Sequence, residues 1–314
     1  CPTKLHFTGK PDFANTQADN PFLQTLADGG FQVGELAKLM YPEGVEVRAA
    51  GHEEALRHTD ELLARDDVTI FEAAIRHGAL FARVDILRKR GNRLVLIEVK
   101  AKSYDVSKGL RSDSGAIRSD MLPYLRDVAF QLFVLRSAFP QYQLSAYLCL
   151  ADKSCRAAVE GLNQRLKIIR NGTRHEVEVA PGTNGATLGP PVLTLVPVDD
   201  LAEQIISSPL RFPGGERLFA DAVDHFSRHY ETDRKIGPVL GAHCGKCEFR
   251  TPAPSPHSGF HACWKEVTGW EDSDFARGTV LDIWNFRRKD ALIARGVFGL
   301  DEVTEQDLNL AAGN

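Results

Sequence analysis

The segment Leu94 to Lys102, Leu-Val-Leu-Ile-Glu-Val-Lys-Ala-Lys, constrains this chain more than any other. It is an apolar, β-branched run with Glu98 and Lys100 set into it, and it reads as a largely buried strand. Residues two apart on a strand share a face, so the carboxylate and the ammonium leave the sheet together. A charge in such a place is costly unless a counter-charge or a metal meets it. Just upstream lies a second apolar run, Ala79-Leu-Phe-Ala-Arg-Val-Asp-Ile-Leu87, with Asp85 near its end. Lys89-Arg-Gly-Asn-Arg93 joins the two runs, and Gly91-Asn92 is a turn signal, so an antiparallel hairpin is predicted. That hairpin brings Asp85 beside Glu98 and Lys100, a site suited to a hard divalent cation and a phosphate.

The rest of the chain reads as α/β. Helices are predicted over Gly30 to Met40, Glu53 to Arg65, Met121 to Phe139, Asp199 to Ile206, Gly214 to Arg228 and Thr279 to Arg295. Strands are predicted over Val45 to Arg48, Val68 to Ile75, Gln143 to Leu150 and Val192 to Val198. A second hairpin runs from Arg165 to Val179 around Asn171-Gly172. Cys1 to Pro21 reads as a connecting arm and Ser103 to Ser119 as a polar loop. Three regions follow: 1–50 as an N-terminal arm and helix, 51–210 as the core, and 211–314 as a helical C-terminal region.

Glu72, Asp85 and Glu98 fall on three successive strands. Mg²⁺ or Mn²⁺ takes oxygen ligands and keeps several waters, so Asp85, Glu98 and the Val99 carbonyl would suffice to hold one. Lys100 would stand beside the water or the scissile phosphate as a point charge. Gln131 lies one turn from Asp127 on the following helix; either it positions water or phosphate, or both residues form the polar rim of an amphipathic helix.

The formal net charge of −4 gives no global attraction to nucleic acid, so such binding must come from local patches such as Arg83, Arg88, Arg90 and Arg93. No stretch is long and apolar enough to span a bilayer, no signal-peptide pattern is seen, and a cytoplasmic, membrane-free protein is expected. The first residue is Cys1 rather than Met, the expectation being a processed chain or a fragment.

Six cysteines in 314 residues do not make a disulfide framework. Cys244-Gly-Lys-Cys247 is a Cys-x2-Cys pair, and Cys263 follows after a gap of fifteen residues. With Cys1 as a fourth ligand the set suits an iron–sulfur cluster; with His257 or His261 it suits Zn²⁺.

Asp85, Glu98-Val99-Lys100 and the Gln131 helix resemble the PD-(D/E)xK nuclease superfamily, particularly its RecB-like branch. That branch often carries Tyr four residues after the Gln, where this chain has Leu135. Glu72 matches the strand on which other members place an acidic residue. The one-plus-three layout of Cys1 with Cys244, Cys247 and Cys263 is similar to that of Cas4-like and AddB-like nucleases. Phe31-Gln-Val-Gly-Glu-Leu-Ala37, Phe71-Glu72, Arg83 to Leu87, Ile97 to Lys100 and Cys263-Trp264 resemble the nuclease-like region of uncharacterised bacterial proteins. There that region precedes a second, DEDD-exonuclease-like domain.

The resemblance implies a restriction-endonuclease-like core that hydrolyses DNA with single-stranded or free ends. It implies catalysis by Glu72, Asp85, Glu98, Lys100 and Gln131 around Mg²⁺ or Mn²⁺, and a structural 4Fe-4S cluster on the four cysteines. A non-catalytic nucleic-acid-binding scaffold of the same fold and a zinc-stapled interaction module are the alternatives.

Overall fold

The computed structural model describes residues 1–18, 20–49, 51–171, 174–251 and 257–308. Of the turn Asn171-Gly172, Gly172 lies outside them. The chain divides into two compact units, Pro21–Pro209 and Cys1–Asn20 with Leu210–Asn314.

The first unit is built on a six-stranded mixed sheet. Its elements in chain order are α1 (Pro21–Lys38), β1 (Val45–Glu46), α2 (His52–Leu63), β2 (Asp67–His77), β3 (Leu80–Arg90), β4 (Arg93–Tyr104) and α3 (Leu122–Ala138). There follow β5 (Gln143–Asp152), β6 (Leu166–Asn171), β7 (Arg174–Val179), the short α4 (Gly185–Leu188), β8 (Leu193–Pro197) and α5 (Asp199–Ser207). The sheet runs β1-β2-β3-β4-β5-β8. β2, β3 and β4 form an antiparallel meander, β1 and β5 join it in parallel, and β8 closes the edge antiparallel. The hairpin predicted at the centre is there, with Gly91 at φ 54° taking the left-handed conformation that a tight turn between twisted strands needs.

Alternation along β4 sorts its side chains between two helical layers. Val95, Ile97 and Val99 join Phe71, Ile86 and Cys149 in a core that Val33, Leu36, Ala37 and Met40 cover from α1 and the turn after it. Leu94, Leu96 and Glu98 are buried on the other face, where Gln131 of α3 meets Glu98. Each Leu or Ile so buried contributes roughly 1.5–3 kcal/mol. α1 therefore belongs to the core unit and not to an N-terminal arm, because its apolar stripe is one wall of the sheet's core. It starts at Pro21, well before Gly30, with proline at a first-turn position that loses no hydrogen bond.

The second unit holds the first twenty residues against the C-terminal third. It contains β9 (Pro209–Phe212, whose first residue falls in the other unit), β10 (Gly215–Leu218), α6 (Phe219–Glu231), α7 (Gly259–Thr268) and α8 (Lys289–Ala294). The presumed arm is a structural element: Pro2–His6 is a 3₁₀ turn, Phe7 is buried against Phe13 and Phe249, and Ala14 and Thr16 donate to the carbonyls of His257 and Glu248. Two predicted helices are corrected. Gly214 to Leu218 is half of a hairpin, with Gly214 at φ 99° and Gly215 at φ 154°, so α6 starts only at Phe219. Thr279 to Arg295 is broken: the 3₁₀ turn that Thr279 and Asp282 cap ends at Asp282, and Asn285 sits at φ 48°; only Lys289–Ala294 is α-helical.

The fold yields one stability prediction. Gly44 lies so close to β2 that a Cβ there would stand 2.2 Å from the Phe71 ring. Gly44→Ala is expected to destabilise the core unit by about 1–3 kcal/mol in urea unfolding. Adding Phe71→Leu to that variant should recover part of the loss, because the two sites share one contact.

Candidate active site

The β3–β4 ladder runs from Arg90↔Arg93 to Ile86↔Ile97 and stops there, while β3 stays paired with β2 to its far end. The next pair in that register is Asp85 opposite Glu98. Past this point β4 has peptide groups with no β3 partner, and Asp85 takes one of them: the Val99 N–H donates to its Oδ2 at 2.6 Å. On a strand the N–H and C=O of one residue point the same way, so the Val99 carbonyl opens on the side that Asp85 occupies. Continuing the β2–β3 register places Glu72 opposite Asp85. Glu72 and Asp85 line the cavity on the α1 side, whereas the Glu98 side chain turns to Gln131 of α3.

Glu98 is 4% exposed, and both of its oxygens are held. Lys100 Nζ lies 2.6 Å from Oε1 and Gln131 Nε2 donates to Oε2 at 2.7 Å. Lys100 also bonds Asp127 Oδ2 at 2.9 Å. Glu98, Lys100 and Gln131 are therefore together, and Asp127 completes the group. It is one helical turn before Gln131, and that spacing is the signal by which the sequence exposes it. The Oε1 of buried Gln131 has no protein partner among the described residues, which suits an acceptor meant for water or a hydroxyl.

The electrostatics follow from burial. Burial, then the neighbouring Glu98 charge, push the Asp85 carboxyl up to about 7, against the pull of the Val99 amide. Glu98 is raised by burial, with Lys100 and Gln131 opposing. Burial works against the Lys100 ammonium, but Glu98 and Asp127 hold its pKa above the usual lysine value. The Glu98 charge thus adds to burial in disfavouring ionisation of Asp85, while Lys100 offsets it in part.

Asp85 and Glu72 also line a cavity of about 720 Å³ with Val99, Lys38, Glu46 and Arg83 among its walls. Glu72 is raised by burial, offset by Lys38 and Arg83, and its φ of 55° is strained for a side chain with a Cβ. Lys38 is clamped between Glu35, at 2.6 Å, and Glu46. The sequence pattern gave no sign of Lys38 or Glu46, since neither lies on a strand of the meander.

Cys1, Cys244, Cys247 and Cys263 line one small cavity of the second unit, together with Phe260 and Trp264. Burial raises the thiols of Cys244 and Cys247 and pushes Cys263 up to about 12, so without a cation they are neutral. The buried Trp264 indole N–H, on the same cavity wall, has no partner among the described residues. Thiol donors converging beside an unsatisfied N–H fit a thiolate-bound centre in composition. Among the described residues, no group of three or more His, Cys, Asp or Glu side chains is gathered closely enough to hold a metal ion as it stands. His261 is buried with its Nδ1 unpaired, packed edge-on to Phe275, and His257 Nδ1 meets the Asp12 carbonyl at 2.6 Å. Neither histidine lines the cysteine cavity.

No helix among the described residues is long and apolar enough to cross a membrane. No protein-family model matches the chain, and no curated protein sequence matches it.

The elevated Asp85 makes the core unit pH-sensitive. Asp85 holds its proton more tightly folded than unfolded. Its contribution to stability is therefore full below about pH 4 and is lost as pH rises through about 7. The melting temperature of the metal-free protein should fall between roughly pH 4 and pH 7, and Asp85→Asn should fall less over the same range.

Proposed function

We propose that the core unit is a metal-dependent nuclease with a restriction-endonuclease-like core, hydrolysing DNA phosphodiester bonds. What carries this reading is the end of the β3–β4 ladder, where Asp85, Glu98 and the Val99 peptide converge beside Lys100. Asp85, Glu98 and the Val99 carbonyl would hold Mg²⁺ or Mn²⁺, the hard cations for which carboxylate and carbonyl oxygens are suited. When bound, such an ion lowers the pKa of its water and stabilises charge on a phosphoryl oxygen.

The protein's own groups supply the rest. Glu98 is fixed at both oxygens, so it meets a cation without reorganising. Asp85 gives up a proton when its charge is matched. Lys100, kept protonated by Glu98 and Asp127, offers its ammonium to the charge that builds on a non-bridging phosphate oxygen. Gln131, tied by its NH₂ to Glu98, has its carbonyl oxygen free to accept from the attacking water. Glu72 adds a further carboxylate on the cavity side of Asp85, and Arg83 a cation on the same wall. DNA with single-stranded or free ends is the expected substrate.

In the second unit, Cys1, Cys244, Cys247 and Cys263 would hold a 4Fe-4S cluster in a structural role, with Zn²⁺ as the competing metal. A bound metal would add its binding energy to folding, because the four thiolates are brought together only in the folded chain. A second, exonuclease-like domain in a longer chain remains part of this reading.

Cleavage of a 5′-labelled oligonucleotide with Mg²⁺ tests the site. Glu98→Gln, Asp85→Asn and Lys100→Met should each lower the rate by about 10²–10³-fold, and Gln131→Leu by about 10–100-fold. Activity unchanged in the first three would dismiss the assignment. Anaerobically purified protein should be brown, absorb broadly near roughly 400 nm and carry about four irons per chain. Cys263→Ala should lose the colour, whereas a colourless protein containing zinc would select the alternative.

A further inference from the structure

Trp284 is 93% exposed, by far the most exposed large apolar side chain among the described residues. Its neighbours show that the exposure is built in. Ile283 and Phe286, on either side, pack into the aromatic core of the second unit around Trp264 and Leu281. Asn285, at φ 48°, turns the backbone between them. The base of the loop is tied down: Lys289 Nζ donates to the Leu281 carbonyl at 2.7 Å, and Arg288 donates to the Asp307 carbonyl at 2.6 Å. The indole is thus held out on a fixed tip.

The charge around the tip is cationic. Arg287 and Arg288 are exposed, and Arg287 makes no hydrogen bond or ion pair among the described residues. The two acids of the segment are engaged elsewhere. Asp282 meets Arg250 and Thr279, and Asp290 accepts from the Ala242 amide at 2.7 Å. A flat π-face beside guanidinium groups matches unstacked bases on an anionic backbone. A membrane surface would need a broader apolar face to insert, and here the adjacent apolar side chains are turned inward.

We propose that the Ile283–Lys289 loop is a binding platform for single-stranded nucleic acid, with a base stacked on Trp284 and phosphates met by Arg287 and Arg288. The inference rests on the reading that this protein handles nucleic acid, but not on cleavage.

The full chain in EDTA, where no hydrolysis interferes, is titrated with a labelled oligo-dT of about 12 nucleotides. Of the three tryptophans, Trp264 and Trp270 are buried, so a change in exposed-indole emission reports Trp284. Binding should quench that emission. Trp284→Ala should weaken binding about five- to a hundredfold and Trp284→Phe much less, as expected for loss of one stacked base. Arg287→Ala should reduce the slope of log K against log salt by about 0.7. Duplex of the same length should be insensitive to Trp284→Ala.

Equal affinities for wild type and Trp284→Ala would overturn the proposal. So would an indole blue shift on phosphatidylglycerol vesicles with no response to oligo-dT. Oligonucleotide that is bound through Trp284 but never cut with Mg²⁺ would support this inference while removing the hydrolytic one.

Discussion

The parting of β3 from β4 beyond Ile86↔Ile97 is the feature on which the core site depends. A continuous ladder would satisfy the Val99 peptide with a β3 backbone group and leave no opening for a ligand. Because the strands separate, a buried N–H must find another acceptor, and Asp85 supplies it. The same bond draws the Asp85 carboxyl into the gap, near a second carboxyl on β4. The backbone thus sets two acidic side chains near one another, while β2 stays paired with β3 on both sides of Glu72 and Asp85.

That problem is solved only in part by the protein. Glu98 has Lys100 and Gln131, and those bonds make its ionised form tolerable at 4% exposure. For Asp85, burial and the Glu98 charge outweigh the Val99 amide and Lys100, and raise its carboxyl to about 7. Lys100, bonded to Glu98 and to Asp127, offsets the Asp85 carboxyl only in part. The asymmetry between the two carboxyls follows from their partners, two side chains for Glu98 and one backbone amide for Asp85.

Much of this was legible in the sequence because strands of a sandwiched sheet announce themselves. The Leu94 to Lys102 run, the Gly91-Asn92 turn and the placement of Glu72, Asp85 and Glu98 follow from alternation and turn chemistry alone. The termination of the ladder at Ile86 was not legible, since pairing is a property of two strands and the residues on either side are equally apolar. Nor was the left-handed Glu72, because nothing local favours φ 55° in a residue flanked by Phe71 and Ala73. Thr279 to Arg295 misled for the opposite reason. Val280, Leu281, Ile283 and Phe286 have near-helical spacing and Thr279 with Asp282 caps a first turn, yet Asn285 at φ 48° leaves the helical region and ends it.

The second unit extends the same lesson to contacts between distant residues. Ala14 and Thr16 bond carbonyls more than 230 positions away, and Cys1 reaches the cavity of Cys244, Cys247 and Cys263 by that route. A polar, proline-containing stretch reads as a tether, but its backbone groups are spent on the cysteine-bearing segment, so it is fixed by pairing and by Phe7 in the core. Buried thiols with raised pKa values add nothing to that closure while neutral. Hydrogen bonds and aromatic packing therefore assemble the cavity on whose wall the four cysteines stand, not yet gathered as a metal-holding group among the described residues.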